Sequence, residues 1–535
     1  MDLVRNYAGV AARRVNPKGM LVAQHLKLPF PARGLVINAS LEQSPVESLR
    51  EASCVRLYKG RLKTAGGATQ LGSSLSGSVM GIFDYRKTDG TSHVVAVTPT
   101  KLYYYDVTTE DWVADTGTLS GSTTDPASWC VIDDALVFTN GTDLKRWTGA
   151  GTLADQMTTL PAGLTSLKCT CVAAFSGRLL LGNTTENGTA CPQRVRYSAI
   201  NSNRDFNSAG SGYYDFDDTP DPVQSIVTLG DYLFILKRDM IYYGRATGNE
   251  AAPFSFRTFA EGVGAFAANC VGKLQQTSWI IGRDSVYTLT PSGLQDAGVD
   301  ISEELFSRLY AEGASRAWSV PNIEFHEVLL GIPTGNEPPS EIWIYNYRHD
   351  AWTVYVLPSA ARATCAGTIQ QIPKKVTIDS LTGTIDSQTW KLGAGLPLGA
   401  TSTLLVGLSS GAIARLDASE STFLGSSLTY SFTSQRIFLP SKDYGELDIY
   451  LKELRFAYYT LPDAATVTVS ISVDDGETFP ESYTLTFASG STPELRYATA
   501  YFFIKTSVFV FKVTSSSPFD IQGVTAVYAA GGEPR

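Results

Sequence analysis

Three stretches decide how this chain folds: HVVAVTPTKLYYYD at 93–106, WCVIDDALVFTNGTDLKRW at 129–147 and DYLFILKRDMIYYG at 231–244. In each, two runs of about 5–6 β-branched, aliphatic and aromatic residues flank a short polar cluster such as TNGTD or KRD. Alternation of apolar and polar positions with Gly, Asn and Asp at the break is the pattern of a β-hairpin, because side chains on a strand point to opposite faces in turn.

Outward from these stretches the pattern recurs. Each unit opens on a strand of small and β-branched residues and continues into strands rich in Tyr or Trp. The openings fall at Val79, Trp129, Cys169, Gln224, Cys270, Arg316 and Cys365, between 40 and 55 residues apart. Several strands per repeat of about 40–50 residues is the signature of a propeller blade. One small twisted sheet cannot bury both its faces. Sheets packed face to face around an axis bury them all and leave only short edges. The prediction is an all-β chain with a β-propeller of six or seven blades over 71–425. The run CVRLYKGRLKTAGG at 54–67 is read as the strand that closes the ring. A solenoid would need a shorter, stricter period, and unrelated tandem sandwiches are the other alternative.

The ends differ from the middle. Residues 1–70 are read as an extended basic arm plus the closing strand. Between Met1 and Leu41, Arg5, Arg13, Arg14, Lys18, Lys27 and Arg33 face Asp2 alone, and prolines interrupt any periodicity. Arg5, Arg13, Arg14 and Lys18 are candidate contacts with a neighbouring subunit. Near the other end, LDIYLKELRFAYYTL, ATVTVSISVDDGETF and YFFIKTSVFVFKVTS alternate strictly and predict a jelly-roll-like β-sandwich over 426–535. One helix is predicted, in DISEELFSRLYAEG, with Ser302 as N-cap and Gly313 as stop.

The 535 residues carry a formal net charge of −9 with only 18% charged side chains, which argues against a protein built to grip nucleic acid over its whole surface. No window approaches ~20 apolar residues, so no membrane span is expected, and the N-terminus lacks the apolar run of a secretory signal. Seven scattered cysteines and four isolated histidines predict buried thiols rather than disulfides or a zinc site. No phosphate-binding loop, nucleophile elbow or HExxH occurs. Gly262-Val263-Gly264 lacks the third glycine of a dinucleotide fingerprint. Neither an enzyme nor a cofactor is expected. Asp215, Asp217, Asp218 and Asp221 crowd one loop. Clustered oxygens can hold calcium, but the spacing is not that of an EF-hand, and a solvated acidic loop is the simpler reading. Ser472-Val473-Asp474-Asp475-Gly476-Glu477-Thr478-Phe479 is similar to the Asp-box of sialidase propellers, a turn held by its own side chains. Aromatics at strand ends, among them Trp147, Tyr242, Trp343, Tyr345, Trp352 and Tyr355, suit packing between blades better than stacking platforms for bases or sugars.

Three features together resemble the tail nozzle or tail tubular proteins of short-tailed bacteriophages. These are the opening segment PARGLVIN…SPVESLREASCVRLYKGRLKTAGG at 31–67, the hairpin wording of the blades beginning with IFDYRKTDGTSHVVAVTPTKLYYYD at 82–106, and the closing sandwich with DIYLKELRFAYY and ISVDDGETF. The first ~28 residues have no counterpart, and 370–403 reads as a local insertion. The resemblance implies a virion tail protein, assembled in the bacterial cytoplasm, with six copies in a ring below the portal and adaptor. It also implies adaptor and tail fibre or needle proteins as neighbours, and genomic DNA passing without sequence-specific binding. A passage for DNA should bind phosphate weakly, so Asp215, Asp217, Asp218 and Asp221 are candidate acidic channel residues. A receptor- or glycan-binding propeller is the alternative function, and a sialidase-like glycan hydrolase the third.

Overall fold

The computed structural model describes residues 23–28, 33–40, 43–309, 311–370, 402–440 and 448–531. Alternation dominates locally, so strands prevail, and most join their sequence neighbours in antiparallel sheets. Blade 1 comprises Gly81–Arg86, Ser92–Val97, Leu102–Asp106 and Asp111–Ala114. Blade 2 comprises Ser128–Ile132, Ala135–Thr139, Leu144–Trp147 and Ala154–Asp155; blade 3, Leu167–Phe175, Arg178–Glu186, Thr189–Tyr197 and Gly212–Asp215. Blade 4 runs Val223–Leu229, Tyr232–Lys237, Met240–Ala246 and Phe254–Glu261; blade 5, Val271–Lys273, Ser278–Ile281, Val286–Thr290 and Gly293–Asp296. Blade 6 runs Trp318–Asn322, Glu327–Gly331, Glu341–Asn346 and Ala351–Val356. Blade 7 takes Ala363–Ile369, Thr403–Leu408 and Ile413–Asp417 and borrows Gly67–Gln70 as its fourth strand, with the short pair Thr422–Phe423 and Ser426–Ser427 beyond it. The fold is therefore a seven-bladed propeller followed by a sandwich. Each of the seven marked openings lies within two residues of an innermost strand.

The wedges between blades are filled by separate apolar cores. Phe83, Tyr85, Phe138 and Trp147 pack between blades 1 and 2, Val137, Cys169 and Leu181 between blades 2 and 3, and Tyr197, Phe216, Tyr242 and Phe254 between blades 3 and 4. Aromatics suit this space, since a planar ring fills the gap between two twisted sheets. Tyr104 stacks on Trp147 at 5.3 Å and Trp279 on Tyr347 at 5.0 Å. The ring closes where Ile369, Cys365 and Leu405 of blade 7 meet Val79, Ile82 and Val94 beside blade 1. A Cβ on Gly367 would stand 2.6 Å from the Ile82 carbonyl oxygen, so only glycine lets the first and last blades approach this closely.

The closing strand is a correction to the sequence reading. The run 54–67 is not one element. Cys54, Lys59, Gly60 and Gly66 all take positive φ, which folds Val55–Tyr58 and Arg61–Thr64 into a tight hairpin and turns the chain aside. That hairpin joins the sandwich, and Gly67–Gln70 alone completes blade 7. One sandwich sheet orders Val55–Tyr58, Arg61–Thr64, Asp520–Gly531, Asp448–Tyr459 and Leu495–Lys505, with Ala23–Lys27 also on Asp520–Gly531. The other contains Leu49–Ser53, Tyr430–Ser434, Val508–Ser515, Ala465–Ser472 and Glu481–Phe487. A parallel bridge from Ser53 to Val354 fuses it to blade 6 as one ten-stranded sheet. Further bonds run from the Leu35 amide to the Trp352 carbonyl (2.8 Å), from the Cys54 amide to the Val354 carbonyl (2.8 Å) and from the Tyr355 hydroxyl to the Gly66 carbonyl (3.0 Å).

The helix is also corrected. It spans Ser302–Ser307, and Ser302 is its first residue, not its cap. Asn38 does the capping from a distant part of the chain: its side-chain oxygen accepts from the Glu303 amide (3.1 Å) and its amide donates to Ser302 Oγ (3.1 Å). Gly313 falls within a following 3₁₀ turn, Ala311–Arg316. Arg5, Arg13, Arg14 and Lys18, and most of the 370–403 insertion, lie outside the described residues.

Candidate functional site

The acidic loop connects the outermost strand of blade 3 to the innermost strand of blade 4, and its carboxylates do not form one cluster. Asp215 lies on the outer strand, where Arg194 grips it in a fork (2.7 and 2.8 Å). Arg194 also reaches Glu186 (3.1 Å), Arg196 binds the same Glu186 (2.5 and 2.8 Å), and both guanidiniums lie over Tyr213. Asp217 is exposed. Asp218 accepts from the Tyr242 hydroxyl (3.0 Å); burial, then this bond, push the Tyr242 phenol upward.

Asp221 is buried and accepts from the backbone amides of Arg238 (2.7 Å) and Asp239 (3.1 Å). Burial alone would raise its pKa. Hydrogen bonding from Thr219 and the Asp239 amide, with the charge of Lys237, reverses that and holds the carboxyl below its ordinary range. Lys237, itself fully buried, donates to the Phe216 carbonyl (2.8 Å) and to both Thr219 oxygens (2.7 and 2.6 Å) and stands 3.5 Å from Asp221. Asp215 and Asp221 thus staple strands and a connection. A segment running from rim to centre offers backbone amides and a buried cation that carboxylates satisfy first, while Asp217 stays exposed.

The innermost strands carry other chemistry. Their charged residues are Asp84, Arg86, Lys168 and Lys273, and Asp84 pairs with Arg86 at 3.1 Å. Lys273 of blade 5 donates to Thr228 Oγ1 of blade 4 (2.6 Å). Burial pushes its ammonium down. Burial raises the Cys130 thiol to about 12. Among the described residues no three His, Cys, Asp or Glu side chains are placed to hold a metal ion.

Two further features complete the surface. An open cleft of about 660 Å³ between blades 3 and 4 is lined by Phe175, Ser176, Thr228, Asp231, Tyr232 and Arg245; the Arg245 guanidinium lies 4.5 Å from the Tyr232 ring centre and donates to its hydroxyl. The Asp-box-like turn is knitted by its own side chains. Ser472 Oγ donates to Asp474 (2.6 Å) and accepts from the Gly476 amide (2.8 Å), while Asp474 accepts from the Thr478 amide (2.9 Å). Hydrogen bonds from Ser472 and Thr478 draw the Asp474 carboxyl down to about 2. Arg436 forks onto Asp475, and Arg50 donates to the Asp475 carbonyl.

The strand Leu495–Lys505 presents an exposed aromatic row of Tyr497, Tyr501 and Phe503. The sequence reading passed over it. Its signal was present, in rings alternating with Ala498 and Ala500, but alternation does not say which face meets solvent.

No protein-family model and no curated protein matches the chain. Solved structures do. The extracellular domain of the hybrid two-component system BT4673 from B. thetaiotaomicron is 10% identical, with a TM-score of 0.41 over 81% of this chain and 47% of that one. PorZ of the Porphyromonas gingivalis type-IX secretion system is 10% identical, with a TM-score of 0.36 over 72% and 44%. A functionally unknown protein from Desulfotomaculum acetoxidans is 10% identical, with a TM-score of 0.32 over 57% and 98%. The chain spans less than half the length of the first two.

Proposed function

We propose that this chain is a structural protein of a short-tailed bacteriophage tail. Copies of it form a ring below the portal and adaptor, six in the family it resembles, and wall the passage of the ejected genome. The observation that carries the reading is the order of the three resembling segments along the chain, 31–67, the blade hairpins and the closing sandwich. The architecture supports a mechanical role. The opening segment is hydrogen-bonded into the junction, and one ten-stranded sheet runs from blade 6 into the sandwich. The chain acts as a wall and not as a catalyst. DNA passes between copies. The formal charge of −9 keeps phosphate contacts weak.

Immunogold labelling of particles released by cells carrying this gene tests the proposal. Gold at the tail, below the portal vertex, is the expected result. Gold confined to free protein or the cell surface, with the chain retained on host glycans, would replace the tail wall by a receptor-binding propeller.

A further inference from the structure

Glu481–Phe487 already faces the free edge of Leu495–Lys505, where Tyr483 meets Tyr501 at 5.9 Å and Phe502 at 6.3 Å. What stays open is the flat of the sheet. Residues directly opposite each other on antiparallel strands share a face. The register sets Tyr459 against Leu495, Ala457 against Tyr497, Arg455 against Thr499, Glu453 against Tyr501 and Tyr450 against Lys505. The alternate residues Leu454, Phe456 and Ala500 are buried, so this row is the outward one. Phe503 joins it by stacking on Tyr450 at 5.2 Å. Tyr497 is 71% exposed, Tyr501 62% and Phe503 71%. Three rings about two-thirds open leave on the order of 400 Å² of aromatic surface, a patch of the size that marks a binding face.

The chain's own arm leaves from the same sheet. Ala23–Lys27 pairs with Asp520–Gly531 and sets Ala23 against Ala529, which in turn lies against Tyr450. Ala23 is therefore in one row with Tyr450 and Lys505, three strand spacings or ~14 Å from the aromatic strand. The Tyr528 hydroxyl donates to Gln24 (2.8 Å) and the Leu28 amide to the Val524 carbonyl (3.0 Å), which fixes the point of departure. Residues 1–22 lie beyond it. At ~3.3 Å per extended residue, 17–22 is enough to cross the ~14 Å, and 4–16 outreaches the ~27 Å from Phe503 to Leu495. The chemistry also fits. Leu3, Val4, Tyr7, Val10 and Val15 stand among Arg5, Arg13 and Arg14. Guanidinium groups stack on aromatic faces, and on this same face of the sheet the Arg61 guanidinium already lies 4.4 Å from the Tyr459 ring centre.

We infer that residues 1–22 dock back on their own chain and cover the aromatic row of Tyr497, Tyr501 and Phe503, with the arm's arginines on the rings. A short tether presents the arm to this face at about millimolar effective concentration, an advantage that the arm of a free second copy lacks. The contact uses the flat of the sheet and leaves its edge as it is. It requires no symmetry between copies, so it is compatible with a ring and does not rest on the tail reading. Arg5, Arg13 and Arg14 thereby gain partners within their own chain in place of a neighbouring subunit.

The test is photocrosslinking in the full chain, with p-benzoylphenylalanine in place of Tyr501. Irradiation of an equal mixture of heavy-nitrogen and unlabelled chains gives crosslinks from this position to residues 4–16, each joining peptides of one isotope only. Mixed-isotope crosslinks to the arm would assign the face to a neighbouring copy's arm and overturn the inference, as would crosslinks that avoid residues 1–22. Nitration by tetranitromethane reads the same contact with the face left intact. Tyr497 and Tyr501 react several-fold faster when residues 1–22 are deleted, and measurably faster in Arg5→Ala/Arg13→Ala/Arg14→Ala. Tyr213 on blade 3, 49% exposed, reacts alike in all three proteins. Equal rates at Tyr497 and Tyr501 with and without the arm refute the docking. So does a rise shared equally by Tyr213, which would report loosening of the whole fold instead of an uncovered face.

Discussion

Replacing Arg56 by methionine asks whether charge holds propeller to sandwich. Arg56 sits on the Val55–Tyr58 strand and reaches Glu327 of blade 6 at 3.6 Å, with both side chains buried. Its guanidinium lies 3.9 Å from the Phe325 ring centre, and neither Arg56 Nε nor Glu327 Oε2 has a hydrogen-bond partner. At this separation the attraction is about 4–5 kcal/mol for an effective dielectric of ~20. Desolvation of two ions offsets most of it, so the intact pair adds little net stability. Removing one side is different: it strands a buried carboxylate, and the loss is about 3–5 kcal/mol. The methionine stem keeps the packing on Phe325, which isolates the charge effect.

The pH dependence carries a sign. Burial raises the Glu327 carboxyl, Arg56 pulls it back and Glu324 pushes it further up. A carboxyl raised in the folded state contributes stability that is full below the unfolded carboxylate range and is lost as pH rises through the folded value. Without Arg56 that value climbs, so the deficit of Arg56→Met is larger at pH 8 than at pH 5. Urea unfolding followed by tryptophan fluorescence is the assay, since Trp318, Trp343 and Trp352 all report blade 6. The Arg56→Met/Glu327→Leu pair recovers most of the loss. A deficit under ~1 kcal/mol, an equal deficit at both pH values, or a double variant as unstable as the single would refute the reasoning.

Other outcomes follow from single contacts. Gly367→Ala pushes a methyl against the Ile82 carbonyl at the ring closure and lowers stability by about 1–3 kcal/mol in thermal melts; an unchanged melting temperature would mean that blades 1 and 7 are not locked there. Asp221→Asn leaves Lys237 buried without its counter-charge and loses about 3 kcal/mol near pH 7. Because the native carboxyl is held low, the wild-type advantage is present above the unfolded carboxylate range and vanishes as pH falls through the folded value; a gap that persists in acid would contradict this. Asn38→Ala removes the remote cap and loses about 1 kcal/mol, read as faster amide exchange at Glu303.

Sequence alone was sufficient for the strand pattern, the repeat and the all-β class, because period-two alternation and Gly, Asn and Asp turns act between near neighbours. The hairpins at 93–106, 129–147 and 231–244 and the openings from Val79 to Cys365 are such local signals. The Asp-box-like turn was legible for the same reason, since Ser472, Asp474 and Thr478 bond within seven residues. Only the tertiary structure decided which strand closes the ring, that Leu49–Ser53 fuses sandwich to blade 6, that Asn38 caps the helix, and that Asp221 neutralises Lys237. Each depends on partners far apart in the chain, and a strand edge or a carboxylate has no local property that names its partner. The exposed face of Tyr497, Tyr501 and Phe503 belongs here too: alternation divides a strand into two faces, and only the packing of one sheet on the other chooses which is left to water.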